Sequence, residues 1–226
     1  MEVVGIRPAR GGSKGIRYKN LALLAGRPLL DYTTEAARKS DSITRFVVSS
    51  EDEKIIRYCN SLGVETHIRP QELAMESTPT EPVILNVLQA LQDRNEEPQW
   101  VFLLQPTSPL RTADDIDSAF KALIRSGADG LISVYKLAGS PYKSFTVDEH
   151  GKLRGLVNDR APFMRRQDCP PVYCANGAIY IFRALDFLKN GKILLDNVIP
   201  FVMPAERSKD IDTLEDLAET EAILCS

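Results

Sequence analysis

The stretch VVGIRPARGGSKGIRYKN, from Val3 to Asn20, gathers residues that can handle a highly charged anion. Between Val3 and Leu30 there is no Asp or Glu, while Arg7, Arg10, Lys14, Arg17, Lys19 and Arg27 all carry positive charge. The whole chain has 28 Lys and Arg against 31 Asp and Glu, so the remainder carries 22 basic residues against those 31 acids. Gly11, Gly12 and Gly15 permit positive φ and keep side chains clear, so that successive N–H groups can converge on an anion. A polyphosphate is the natural guest. The spacing is not G-x-x-x-x-G-K-[ST], nor is it the G-x-G-x-x-G of a dinucleotide site. A basic solvated turn is the competing reading, and self-repulsion among six like charges argues against it.

Two further groups invite chemistry. Asp210 and Asp212 stand two apart, so in an extended or turn conformation both carboxylates face the same side and suit one Mg²⁺. They also precede T-L-E-D, where an Asp makes a good helix cap. Gln105 ends an apolar run before Pro106 and Pro109, placing an amide at a strand mouth, where it either binds or merely terminates the strand. Thr107, Ser108 and Arg111 beside it suit phosphate, sugar or the start of the next helix, with Thr112 the better cap.

The elements that must position these groups alternate. Val3–Ile6, Phe46–Val48, Thr66–Ile68, Val101–Leu104, Leu131–Val134 and Ala178–Phe182 read as strands separated by helix-length segments. That rhythm predicts an α/β fold with a doubly wound, mostly parallel sheet. Ligands in such sheets bind beyond the carboxyl ends of the strands, where both the glycine loop and QPTSPLR fall. Pro28 to Lys39 reads as the first crossover helix, Glu51-Asp52-Glu53 as the acidic start of the second, and Phe187–Leu195 as a helix and loop. Arg69 to Thr80 is polar, equally suited to a capped loop or a binding element. From Gly139 to Pro171 the rhythm fails, with Pro141, Pro162, Pro170, Pro171 and the cluster Arg160, Arg165, Arg166, as in an inserted subdomain. Tyr180 lies within the following strand and faces either pocket or core.

With 226 residues and 43% hydrophobic side chains, the chain fits one domain carrying an insertion at about 139–175. The net charge of −3 argues against a nucleic-acid partner. No run approaches the roughly 18 apolar residues of a membrane span, and MEVVGIRPAR has no signal-peptide core, so a cytoplasmic protein is expected. Cys59, Cys169, Cys174 and Cys225 form no C-x-x-C pair and are read as thiols.

P-A-R-G-G-S-K-G followed by K-N resembles the nucleotide-binding signature of the acylneuraminate cytidylyltransferases, the CMP-sialic acid synthetases. LLQPTSPLR (Leu103–Arg111), NGAIYIF (Asn176–Phe182) and DIDTLEDL (Asp210–Leu217) resemble the same family, in the same order. The resemblance implies a Rossmann-like nucleotidyltransferase that joins CTP to a nine-carbon 2-keto sugar acid with Mg²⁺. It implies that Arg10, Lys14, Lys19 and Asp212 are catalytic, and that Gly11, Gly12, Ser13, Asn20, Arg69 and Thr80 bind the nucleotide. Gln105, Lys143, Arg166 and Tyr180 would bind the sugar acid, and Asp210 and Asp212 the metal. The insertion would form a homodimer and carry Lys143 and Arg166 over the partner's site. Arg7 and Arg17 replace residues that are commonly apolar and Pro in the family, which adds charge near the phosphates; the family's aromatic pair near Ile193 and Leu194 is missing. Both departures fit a different acid, such as legionaminic or pseudaminic acid. Another nucleotide or acceptor, or a non-catalytic nucleotide-binding homologue, are the alternatives.

Overall fold

The computed structural model describes residues 1–13, 15–193 and 196–225. In chain order the strands and helices are β1 (Val3–Pro8), β2 (Leu23–Leu24), β3 (Arg27–Pro28), α1 (Leu29–Lys39), β4 (Arg45–Ser50) and α2 (Glu53–Ser61). Then come β5 (Glu65–Ile68), α3 (Thr80–Gln92), β6 (Trp100–Leu103), α4 (Ala113–Ser126) and β7 (Gly130–Lys136). The last third holds β8 (Phe145–Val147), β9 (Leu153–Gly155), β10 (Tyr173–Arg183), α5 (Ala184–Asn190), β11 (Val198–Val202) and α6 (Leu214–Leu224).

Seven strands form one sheet in the order β11-β7-β10-β6-β1-β4-β5. All neighbours are parallel except β10, which runs antiparallel to both β6 and β7. Strand alternation builds two cores. Val3 on β1, with Trp100 and Phe102 on β6, packs against α1 and α4 through Ala36, Ala37, Ile116 and Phe120. Val4, Ile6, Val101 and Leu103 face the other way, onto Ile84, Val87 and Leu88 of α3 and Phe187 of α5.

The six expected strands all form: four extend by one or two residues at one or both ends, β6 is shifted back by one to end at Leu103, and β10 starts five residues before its apolar run. β11 is not expected from the sequence: the helix-and-loop reading ends at Leu195, and beyond it Val198–Val202 pairs in parallel with β7 at the sheet edge. An edge strand half open to solvent and carrying Pro200 gives little hydrophobic signal.

The ends of the helices explain the segments between them. Asp52 caps α2, accepting from Lys54 and Ile55 N–H, and Gly63 beyond its end takes φ +64. Thr112 and Asp115 form a reciprocal capping box on α4, as expected for Thr112, and Gly127 ends that helix at φ +69. Within 139–175 the hairpin β8–β9 stands with single turns at Pro141–Lys143, Ala161–Phe163 and Arg166–Asp168. All four cysteines are free thiols. Among the described residues no helix is long and apolar enough to cross a membrane.

Candidate active site

Beyond the carboxyl ends of β1, β5 and β6 lies a cleft of about 290 Å³ lined by Arg10, Lys19, Asn20, Arg69, Thr80 and Gln105. Leu73, Met75, Pro79 and Val83 form an apolar wall at one end, near Arg69 and Thr80. A flat base suits that slot, and the basic end suits phosphates. Local bonds fix the loop. Asn20 is buried and donates from Nδ2 to the Arg10 carbonyl at 2.8 Å, closing the turn between them.

Three segments far apart in sequence meet here. Lys19 Nζ donates to the Ile211 carbonyl at 2.9 Å and to Asp212 Oδ1 at 2.8 Å, while Ile211 N–H bonds the Thr107 carbonyl at 2.9 Å. Gly15 lets the loop approach: a Cβ there would lie 2.0 Å from the Asp212 carbonyl oxygen. The cap of α6 is Thr213, paired with Asp216 in a capping box, so Asp212 is left free of the capping role. Its side chain is 72% exposed and reaches the solvent. Displaced water and the charge of Asp212 raise the pKa of Asp210, against a bond from Thr107 that lowers it. Among the described residues no three His, Cys, Asp or Glu converge as a metal cage. Two carboxylates beside Lys19 at the basic end of the cleft fit Mg²⁺, which takes one or two carboxylates and completes its shell from other oxygens and water.

Gln105 is held from behind. Gly177, at φ +71, passes so close that a Cβ there would sit 2.4 Å from Gln105 Oε1. Buried Arg111 donates to the Ala178 carbonyl at 2.6 Å, to Thr33 Oγ1 at 2.6 Å and to the Gln105 carbonyl at 3.3 Å. Ser108 donates to the Asn176 carbonyl at 2.9 Å, and Asn176 in turn donates to Ser208. Arg111 and Ser108 therefore serve structure, and Thr107 alone of that group lines the cleft. Tyr180 is half-buried, packed on the α3 side of the sheet; burial first, and then the nearby Asp210 charge, raise the pKa of its phenol.

Some expected residues lie elsewhere. Arg7 is not in the cleft, where the charge count puts it: it is fully buried, donating to the Leu30 carbonyl, to Thr34 Oγ1 at 2.7 Å and toward Cys59 Sγ at 3.6 Å. Strand alternation from Val3 already aims it at α1. The six loop cations are not all uncompensated either, since Lys19 pairs with Asp212 and Arg27 with Glu35. The N–H of Gly11 donates to Glu51 at 2.7 Å, and Gly12 and Ser13 border a second hollow with Arg17 and Asp52. Lys14 lies outside the described residues. Lys143, bonded to the Met164 carbonyl, and exposed Arg166 sit on the 139–175 segment, away from the cleft lining.

Sequence reasoning missed two supports. Glu51 was read as a helix-start acid, but its carboxylate pairs with Arg69 in a nearly dry setting. Arg207 forks onto Asp115, tying the start of α4 to the loop that ends in Asp210. Neither shows in sequence, because partners 18 and 92 residues apart meet only in the folded sheet.

A family model described as Cytidylyltransferase matches residues 4–224. An N-acylneuraminate cytidylyltransferase of Streptococcus agalactiae is 30% identical over 96% of this chain, which spans only 52% of that relative's length. A CMP-N,N'-diacetyllegionaminic acid synthase of Legionella pneumophila is 30% identical over 99% of the chain and 97% of its own, and a pseudaminic acid cytidylyltransferase of Campylobacter jejuni 29% over 96% and 94%. A solved CMP:2-keto-3-deoxy-manno-octonic acid synthetase complexed with CTP superposes over all of this chain and 99% of its own, with a TM-score of 0.73 at 16% identity. That likeness shows the same Rossmann-like fold. By its matched length and its relatives, the chain belongs to the cytidylyltransferase family.

Proposed function

We propose that the protein transfers the cytidylyl group of CTP to the anomeric hydroxyl of a nonulosonic, sialic-type 2-keto sugar acid, releasing pyrophosphate. The observation that carries this reading is the meeting of Arg10, Lys19 and Gln105 in the cleft at the carboxyl end of the sheet, with Asp210 and Asp212 brought beside Lys19, in a chain of this family. The hydroxyl oxygen attacks the α-phosphorus in line and gives its proton to solvent, and the bond to the pyrophosphate oxygen breaks with its electron pair leaving on pyrophosphate. Such a step depends on positioning and on charge neutralisation more than on covalent help from the protein.

Arg10, Lys19 and the loop around Gly12 and Ser13, with Lys14, hold the triphosphate. Arg69 and Thr80 take the base in the apolar slot. Gln105 and Tyr180 orient the sugar acid, while Lys143 and Arg166 reach its carboxylate from the partner of a homodimer. Arg suits that contact because its planar fork pairs with a carboxylate through two bonds. Mg²⁺ held by Asp210 and Asp212 would neutralise phosphate charge and lower the pKa of the attacking hydroxyl. Lys19 keeps Asp212 turned to the phosphate end of the cleft. A cytoplasmic setting accords with four free thiols.

The test is pyrophosphate release with Mg²⁺, each nucleoside triphosphate and a panel containing N-acetylneuraminate, legionaminic and pseudaminic acids. Release with CTP and one acid is expected, and names the substrate. Asp212→Ala should abolish turnover while CTP still binds. Release with another triphosphate would overturn the base assignment, and CTP binding without release on any acid would point to a different acceptor or a non-catalytic role.

A further inference from the structure

We propose that Glu51 is a positioning residue that sets which nucleobase the cleft accepts, an inference that rests on the cytidylyl-transfer reading above. Glu51 follows β4 directly and Arg69 follows β5, so their side chains meet just past the ends of two parallel strands. The strand pairing carries on to that point, with Arg69 N–H bonded to the Ser50 carbonyl at 3.1 Å. Only 3% of the Arg69 side chain and 9% of that of Glu51 is exposed. Nε and Nη2 of Arg69 both donate to Glu51 Oε2, at 3.0 and 2.7 Å. The other oxygen, Oε1, accepts the Gly11 N–H at 2.7 Å. One carboxylate thus joins the glycine loop to the base slot.

Gly11 is part of the same clamp: a Cβ there would fall 2.4 Å from Asp52 Oδ2, so only glycine lets the loop settle against the start of α2. The arrangement restricts Arg69. Swinging away would strand a buried carboxylate, which is costly. Its guanidinium therefore stays at the slot wall as a fixed donor, and among the described residues Nη1 is the nitrogen left for a ligand. A fixed donor at the N3 edge favours cytosine, whose N3 accepts, over uracil, whose N3 carries a hydrogen; O2 accepts in both and does not discriminate. Released from Glu51, the same cation would no longer be held at the base edge, and the distinction between the two bases would fade.

The experiment is the Kd of CTP and of UTP, measured for wild type, Glu51→Gln and Glu51→Asp, with thermal unfolding run alongside. Wild type should prefer CTP. Glu51→Gln, which keeps shape but loses charge, should cut the CTP-to-UTP preference at least tenfold, with CTP weakened and UTP unchanged. Glu51→Asp keeps the charge but is too short to span both Gly11 and Arg69, so it should fall between. Should Glu51→Gln fail to fold, the shorter acid decides alone: a preference equal to wild type overturns the proposal. Equal weakening of both nucleotides in a folded Glu51→Gln also overturns it. A wild type with no preference for CTP sinks the cytidine reading itself, whereas a preferring wild type with an unaltered Glu51→Gln ratio sinks only the role of Glu51.

Discussion

At single residues, the same chemical group reads in opposite ways according to which side of the sheet it faces. Arg7 and Arg10 lie three apart in one basic stretch, yet Arg10, past the end of β1, lines the cleft while Arg7, still in β1, is sealed beneath α1. Burial pushes the Arg7 guanidinium down to about 10, so the charged form is disfavoured in the fold. A folded pKa below the unfolded one means the buried charge opposes folding throughout the range below about 10 and is relieved only above it. Thr34 Oγ1 already donates to the Leu30 carbonyl at 2.8 Å, so little is orphaned if the arginine goes. Arg7→Met should therefore leave stability unchanged or raise it by roughly 1–2 kcal/mol, with kcat/KM for CTP within about twofold. Urea unfolding and steady-state kinetics check both, and a large loss of kcat/KM would restore Arg7 to the phosphate site. Gly177 is the opposite case, a small residue whose role is local. Its φ of +71 and the 2.4 Å approach to Gln105 leave no room for a methyl group. Gly177→Ala should cost about 1–2 kcal/mol of stability and raise the KM for the sugar acid several-fold, with CTP binding retained. Comparing KM for the two substrates separates these effects.

At the level of elements, the cleft depends on struts between loops. Asp115 caps α4 and accepts the fork of Arg207, which leads directly into Asp210 and Asp212. Burial alone would raise the Asp115 pKa, but the Arg207 and Thr112 bonds outweigh it and hold the carboxyl below its ordinary value. With the folded pKa depressed, this strut contributes stability above the unfolded value of about 3.9 and loses it as pH falls through the folded value. Arg207→Met should cost roughly 1–3 kcal/mol at neutral pH, less than a fully buried pair because a third of the Arg207 side chain is exposed. It should also raise the Mg²⁺ concentration needed for half-maximal turnover. Unfolding curves at pH 7 and near pH 3 check the first effect, since the difference from wild type should shrink in acid. Such struts mark what sequence could not show. The parallel strands, the glycine loop and the Asp pair were legible, because alternation and spacing are local signals. Glu51 with Arg69, and Asp115 with Arg207, were not, because each acid also makes sense as a helix-start residue and its true partner is distant. β11 escaped because an edge strand half in water has little apolar pattern to display.

For the whole molecule, the 139–175 segment leaves apolar surface in water. Phe163 is 80% exposed, Val147 68% and Leu153 64%, and Phe145 packs its ring edge-on against Phe163 at 6.4 Å. Contiguous exposed apolar surface of this kind marks an interaction site. In the proposed homodimer this surface is covered, and the same segment carries Lys143 and Arg166 to the neighbouring cleft. Two experiments follow from that arrangement. Phe163→Glu places a charge where the interface would be dry, so sedimentation should show monomers and turnover should fall by at least tenfold, while CTP still binds in the cleft of each chain. The stricter test mixes two inactive variants, Asp212→Ala and Arg166→Ala. If each cleft takes its arginine from the partner, a mixed dimer contains one cleft with both Asp212 and Arg166 intact, and mixing should restore activity that neither variant has alone. If both residues serve the cleft of their own chain, every cleft in the mixture lacks one of them and no activity returns. Recovery on mixing would therefore establish at once that the chain pairs and that the sugar acid is held between two copies, whereas its absence, with exchange of subunits shown independently, would confine the site to a single chain.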